Sequence, residues 1–212
     1  KQKWYPGETI SIGIGQGYNA FTLLQLAHAT ANLANNGVVM KPHLVKIIED
    51  AATRARTLTV PKESYRIPLK QENIDTIKRA MVGVTSEAGG KAAKSFTGVQ
   101  YTVGGKTGTA QVVGIKKNEK YNAKLLAERL RDNALFTAFA PADKPRIALA
   151  IVVENAGFGA GVAAPIARKA LDYYLLGKRP GEKDKDTTRV PKEDVDEVRR
   201  RAITEVEGAA RH

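Results

Sequence analysis

Tyr101-Thr102-Val103-Gly104-Gly105-Lys106-Thr107-Gly108-Thr109-Ala110-Gln111-Val112-Val113 is the stretch on which the fold turns. Apolar and β-branched residues on both sides of a short Lys, Thr and Gly core predict a β-strand. Side chains two apart on a strand share a face, so Thr107 and Thr109 point one way and Lys106 and Gly108 the other. Two hydroxyls on one side suit a carboxylate, an ammonium beside them stabilises negative charge, and the intervening glycine admits another chain close to the backbone. The pattern fits the wall of a site for an anionic peptide end. It also fits a surface strand carrying a solvated lysine and ordinary threonines. A phosphate-binding P-loop does not fit: that motif needs glycine six positions before the lysine, where Gln100 stands, and it opens a helix, whereas Ala110–Val113 continues as strand.

Outward from this stretch, the chain reads as alternating helices and strands. Trp4–Thr9 looks like a turn leading into an extended segment over 10–15. Gly13, Gly15 and Gly17 do not complete a dinucleotide fingerprint, because position 18 is Tyr. Thr22 and Gln25 form a capping box that starts a helix with Leu23, Leu26, Ala27, Thr30 and Ala34 on one face, ended at Asn35-Asn36-Gly37. His28 within it reads as a packed or surface histidine, since the only others are His43 and His212 and no metal spacing exists. Pro42–Glu49 and Thr57–Val60 predict a hairpin with a polar, Arg-rich connection. A second helix opens near Asn73, with Ile74, Ile77, Met81 and Val84 at helical spacing.

Beyond the Lys-Thr-Gly strand, residues 116–132 form a charged insertion whose part from 122 to 131 has the makings of a short helix. Leu135–Ala140 and Ile147–Val153 are strands separated by a Pro-containing turn. Three consecutive strands with surface connections predict an antiparallel meander, in which Ile147–Val153, an unbroken apolar run, is expected to be the central strand. A closing helix runs from about Ala164 to Leu176, with Pro165 in its first turn and Gly177 as its stop. The fold class is therefore α+β, an antiparallel sheet flanked by helices. Residues 178–212 turn charged and are expected to be a disordered tail, with a marginal helix around 194–205.

Composition narrows the function classes. The net charge is +12 over 212 residues, yet positions 178–212 hold ten basic and nine acidic residues, so the surplus sits on the folded part. The basic residues are scattered and aromatics sparse, which argues for general polyanion affinity and against a nucleic-acid interface. The absence of cysteine excludes disulfides and thiolate metal sites; neither a metal nor a cofactor is called for. No apolar run approaches the roughly 18–20 residues that cross a bilayer, nor is the start a signal peptide, so the chain as given is expected to be soluble.

The order of a helix, a Lys-Thr-Gly-Thr strand, two more antiparallel strands and a C-terminal helix resembles the second half of a penicillin-binding transpeptidase domain; Lys-Thr-Gly is a recognised signature of β-lactamases and penicillin-binding proteins. Longer strings sharpen the match. The run from Lys3 to Tyr18, KWYPGETISIGIGQGY, with Tyr121-Asn122-Ala123, Ala127–Asp132 and Thr137–Pro141, looks like the class B, cell-elongation type. The resemblance covers about residues 1–177, as the C-terminal part of that domain.

In that family a Ser-x-x-Lys helix, a Ser-x-Asn or Ser-x-Asp loop and the Lys-Thr-Gly strand face one cleft. The four serines here are Ser11, Ser64, Ser86 and Ser95, and none is followed by Lys at three or by Asn or Asp at two. The nucleophile and second motif are absent from these residues, so the chain reads as a piece of a longer enzyme, inactive by itself, with apolar surface that would make it poorly soluble alone. The resemblance implies a D,D-transpeptidase acting on peptidoglycan stem peptides ending in D-Ala-D-Ala and trapped by β-lactams. It implies Lys106 as a source of positive potential and a partner of the proton relay, and Thr107 and Thr109 hydroxyls on the terminal carboxylate. The Thr109 N–H would form half of an oxyanion hole, and Gly108 would leave room for the incoming peptide. Gln16 and Tyr18 are candidates for lining the approach. It further implies an inner-membrane anchor, a periplasmic catalytic domain and a membrane glycosyltransferase partner of the elongation machinery. A non-catalytic binding or scaffolding module of the same fold is the alternative.

Overall fold

A computed structural model describes residues 3–113, 122 and 125–181. Residues 116–121, 123 and 124 of the charged insertion and the tail beyond Gly181, with its expected disorder and marginal helix, lie outside the described residues. Of the short helix expected over 122–131, the described part shows a 3-10 turn at Glu128–Leu130.

The centre of the molecule is a three-stranded antiparallel sheet whose strands β5 (Gly104–Ala110), β6 (Asn133–Ala140) and β7 (Ile147–Val153) lie in sequence order. The meander forms with the Lys-Thr-Gly strand at an edge, but the middle strand is β6 and not the apolar run of β7, which lies at the other edge. The apolar letters of β7 answer to α2 and α4 (the helices described below), which both pack on it. Register is continuous, Gly104 opposite Phe139 through Ala110 opposite Asn133, and Ala134 opposite Val153 through Ala140 opposite Ile147. With a side-chain period of two, Ala134, Phe136 and Ala138 share one face with Gly105, Thr107 and Thr109; Leu135, Thr137 and Phe139 share the other with Gly104, Lys106 and Gly108.

The first face carries the main core. Phe136, Ala134, Ala138 and Ala140 are buried against Ala163, Ala164, Ala167 and Leu171 of the C-terminal helix, α4 (Ala163–Leu176), and against Phe96 and Val103. Phe96 stacks on Phe136 with ring centroids 5.7 Å apart. Facing alanines let helix and sheet approach closely, and the two phenylalanines fill the space that remains. Helical spacing in the sequence points Ile166, Ala170, Leu171 and Tyr174 inward, but of these only Leu171 is buried; the close approach of helix and sheet selects the small face of Ala163, Ala164 and Ala167 and leaves Ile166, Ala170 and Tyr174 exposed. α4 ends at Gly177, whose φ of 70° is the left-handed cap expected there.

Two further helices position the sheet. In α2 (Leu23–Ala34) the Thr22 hydroxyl accepts from the Gln25 N–H while the Gln25 side chain accepts from the Thr22 N–H, as the capping box predicts. The helix packs on β6 and β7. Thr30 and Ala34 are its buried residues, whereas Leu23 at its start is exposed. His28 packs rather than ligates, its Nε2 lying 2.9 Å from the Met40 carbonyl oxygen. α3 (Gln71–Ser86) begins two residues ahead of Asn73 and packs on β5. Its Thr85 hydroxyl donates to the Val103 carbonyl, tying the helix end to the residue that precedes β5.

Small strands complete the chain. The expected hairpin forms between β2 (Ile47–Glu49) and β3 (Arg56–Leu58), shorter than its apolar letters suggest, with Glu49 paired to Arg54 and Arg56. The sequence reading lacks β1 (Val38–Met40) and β4 (Glu63–Arg66), which pair antiparallel. Both are short; β1 is three apolar residues with only Val39 buried, and β4 is exposed throughout, so neither spells the alternating letters that betray a strand.

One expectation is corrected. The segment read as turn and extended chain is a helix, α1 (Pro6–Gly13). Ile10, Ile12 and Ile14 alternate with small residues and mimic a strand, but Pro6 at the first helical turn and Glu8 beside it favour a helix start. None of its residues is buried.

Two glycines of β5 are fixed by packing. A Cβ on Gly104 would lie 2.3 Å from the Phe139 ring, and one on Gly105 would lie 2.5 Å from the Phe136 ring and 3.0 Å from the Thr85 methyl. A Cβ on Gly108 would meet only Leu135 Cβ, at 3.2 Å. Gly105→Ala is therefore expected to destabilise the chain by about 1–3 kcal/mol, the usual cost of overpacking a core, and Gly108→Ala by much less. Thermal unfolding of the two variants checks this; an equal loss would show that Phe136 yields freely.

Candidate functional site

An edge strand pairs on one side only. In an antiparallel ladder a residue's N–H and C=O point to the same side, and successive residues alternate. The side chains that reach β5 reveal which residues face its free edge. Gln16 Nε2 donates to the Thr109 carbonyl oxygen at 2.7 Å, and Lys106 Nζ donates to that of Thr107 at 2.6 Å. Thr107 and Thr109 thus direct their backbone groups outward while Gly108 turns toward β6. With the Thr107 and Thr109 carbonyls each accepting from a side chain, this stretch of the edge offers the N–H groups of Thr107 and Thr109, the two threonine hydroxyls on one face, and the Lys106 ammonium. That set of donors suits an anion or a polarised carbonyl oxygen. Lys106 is exposed, and Thr107, Gly108 and Thr109 are half-buried.

The four residues singled out in the sequence therefore lie together on the strand edge, and Gln16 joins them from far away in the chain. Gly15 and Gly17, both at left-handed φ of 80° and 69°, bend the backbone on either side of Gln16. The Gln16 N–H donates to the Ser11 carbonyl at 2.9 Å, and the Asn19 carboxamide donates to the Ile12 and Gln16 carbonyls at 3.0 and 3.2 Å. Tyr18 lies against Trp4, ring centroids 6.3 Å apart.

Behind β5 a polar cluster escaped the sequence reading. The Tyr101 hydroxyl donates to Asp172 Oδ1 at 2.6 Å, and Arg168 Nε donates to Asp172 Oδ2 at 2.8 Å. Arg168 Nη1 also donates to the carbonyls of Ser95 and Thr97, at 3.2 and 3.1 Å. The only trace in the sequence is the i, i+4 spacing of Arg168 and Asp172; Tyr101 and the two carbonyls are tertiary partners. The cluster clamps the loop before β5 onto α4. At the same end Thr102 donates to Asp143 at 2.9 Å, which holds that carboxyl below its usual pKa.

A lysine-bearing edge strand of an antiparallel sheet, backed by a C-terminal helix, defines an α+β fold whose edge suits an anion. The chain belongs to the penicillin binding protein transpeptidase domain family, whose model matches residues 1–172. It is 46% identical over 188 residues to a Haemophilus influenzae protein named peptidoglycan D,D-transpeptidase MrdA, covering 85% of this chain and 28% of that one. The Escherichia coli protein of the same name is 40% identical over 177 residues, with 84% and 28% covered. Pseudomonas aeruginosa PBP2, solved in complex with WCK 5153, superposes with a TM-score of 0.67 at 40% identity, over 87% of this chain and 36% of that one. Penicillin-binding protein A of M. tuberculosis, solved as an imipenem acyl-enzyme, gives 0.60 at 29% identity, with 78% and 33% covered. The chain thus spans about 28% of the length of the curated relatives quoted.

Burial, reinforced by the hydrogen bond to Asp172, raises the Tyr101 phenol pKa well above its ordinary value. A raised phenol pKa means that the fold favours the neutral form. Its contribution to stability is intact below about pH 10 and falls as pH rises beyond the unfolded value. Tyr101→Phe is expected to lower stability at pH 8 by about 1–2 kcal/mol, the loss of one hydrogen bond to a charged acceptor. It should also shrink the alkaline decline. Denaturant melts of both proteins between pH 8 and 11 check this, and parallel curves would contradict it.

Proposed function

We propose that these residues are the Lys-Thr-Gly half of the active site of a serine-type peptidoglycan D,D-transpeptidase, and that the acyl-accepting serine is supplied from outside them. The observation that carries the proposal is the Lys106–Thr109 stretch on a free sheet edge whose outward groups are donors. Support comes from family membership, from the name shared by the MrdA relatives, and from the acyl-enzyme reported for a structural neighbour.

In the reaction, a serine hydroxyl attacks the penultimate D-Ala carbonyl of a donor stem peptide ending in D-Ala-D-Ala. The terminal D-Ala leaves, and an acceptor amine then takes the acyl group, forming the cross-link. Lys106 holds positive potential over the cleft and hydrogen-bonds the proton relay once its neighbours are present. The Thr107 and Thr109 hydroxyls take the carboxylate of the donor or of a β-lactam. The Thr109 N–H, on the outward edge, provides half of the oxyanion hole; losing one such donor typically costs roughly a hundredfold to a thousandfold in rate. Gly108 leaves the strand bare where the peptide passes, since the packing around it does not itself demand glycine.

The same reading puts the complete enzyme at the inner membrane, anchored by one segment, with its catalytic domain in the periplasm beside a membrane glycosyltransferase. A Helicobacter pylori PBP2, 27% identical, was solved in complex with MreC, which supports an MreC-type partner for the complete enzyme. Among the described residues no helix is long and apolar enough to cross a membrane.

The test is acylation by a fluorescent penicillin in the complete domain, either the full-length protein or this chain joined to the upstream segment of the Haemophilus influenzae relative. Lys106→Ala should abolish labelling while thermal unfolding is preserved. Normal labelling of that variant would refute the role of Lys106, and an unlabelled parent would refute the assignment.

A further inference from the structure

We infer that Gln16 is a positioning residue for this acyl-transfer edge: its carboxamide stands in for a missing neighbouring strand and holds Thr109 with its N–H aimed outward. The inference rests on the transpeptidase reading and adds to it a residue outside the Lys-Thr-Gly motif.

Thr109 is one residue from the end of β5, where pairing with β6 stops at Ala110 and Asn133. Strand ends on a free edge fray, because each outward carbonyl lacks a ladder partner. Here the Thr109 carbonyl has one, Gln16 Nε2 at 2.7 Å, in a half-buried setting. The donor is itself held. Two left-handed glycines flank it, and Asn19 bridges the Ile12 and Gln16 carbonyls across the turn. Gly17 is confined further, since a Cβ there would meet Ser11 Cβ at 3.3 Å besides needing a φ of 69°. The turn therefore presents one carboxamide to one carbonyl. The carbonyl and N–H of an extended residue point to the same side, so fixing the first on the free edge fixes the second there too. Lys106 Nζ holds the Thr107 carbonyl in the same way, but from within the motif.

The consequence concerns the chemical step more than binding. A wandering Thr109 N–H would still admit the ligand carboxylate to the hydroxyls, but would stabilise the oxyanion less. Gln16→Met keeps length and removes the donor. In the complete domain it is expected to lower the first-order acylation rate constant for penicillin roughly threefold to tenfold, the worth of one hydrogen bond, with the pre-acylation dissociation constant within about twofold. Gln16→Glu supplies a readout that a merely structural role would not move. The introduced carboxylate cannot donate at pH 8, whereas its protonated form donates to the Thr109 carbonyl. Its acylation rate, taken relative to the parent at each pH, should recover between pH 8 and 5 while that of Gln16→Met stays flat. An unchanged rate in Gln16→Met, or identical flat pH ratios for both variants, overturns the inference. Should Gln16→Met fail to fold, the pH ratio of Gln16→Glu alone decides. An unacylated parent would instead refute the transpeptidase reading.

Discussion

A strand with one neighbour has twice as many hydrogen-bonding groups as partners for them, and the organisation of this molecule follows from how β5 deals with that surplus. Its inner groups pair with β6 over the full strand. Its outer carbonyls at Thr107 and Thr109 are met by Lys106 and Gln16. What remains unspent beside those two carbonyls is a pair of donors, the Thr107 and Thr109 N–H groups. An exposed edge offering both donors and acceptors invites any extended chain; a stretch whose carbonyls are already met favours a carboxylate or a developing oxyanion. Edge protection and ligand choice thus have a common physical origin.

Holding that edge still requires a rigid backing, and most of the fold serves it. Gly104 and Gly105 let Phe139 and Phe136 press against the strand from opposite faces. Thr85 ties α3 to Val103, and Thr102 joins the strand's start to the β6–β7 turn through Asp143 and the Ala142 N–H. Arg168, Asp172 and Tyr101 lock the preceding loop to α4. Each contact acts on the N-terminal end of β5 or just before it. At the C-terminal end, Gln16 adds a contact from the outer side to the pairing with β6.

How much of this was legible in the sequence depended on whether a signal was local. The capping box at Thr22, the glycine stop at 177 and the strand letters of β6 and β7 are short-range chemistry, and the elements formed where they pointed. The Lys-Thr-Gly-Thr strand was placed at the sheet edge from element order together with the family resemblance. Failures came where local pattern and context disagreed. The alternating isoleucines of α1 imitate a strand, and the exposed β4 has no apolar face to read. The grip of Gln16 on Thr109 spans 93 positions and is invisible to any window of sequence; the Gly15-Gln16-Gly17 triplet marked only that something unusual happens there.

The most direct measurement of the central claim is a crystal structure of the complete domain acylated by a penicillin. The antibiotic should lie along the outer edge of β5, its carboxylate within about 3 Å of both the Thr107 and Thr109 hydroxyls and its acyl carbonyl oxygen within about 3 Å of the Thr109 N–H. A bound antibiotic whose carboxylate and carbonyl are held elsewhere, with the β5 edge empty, would contradict it.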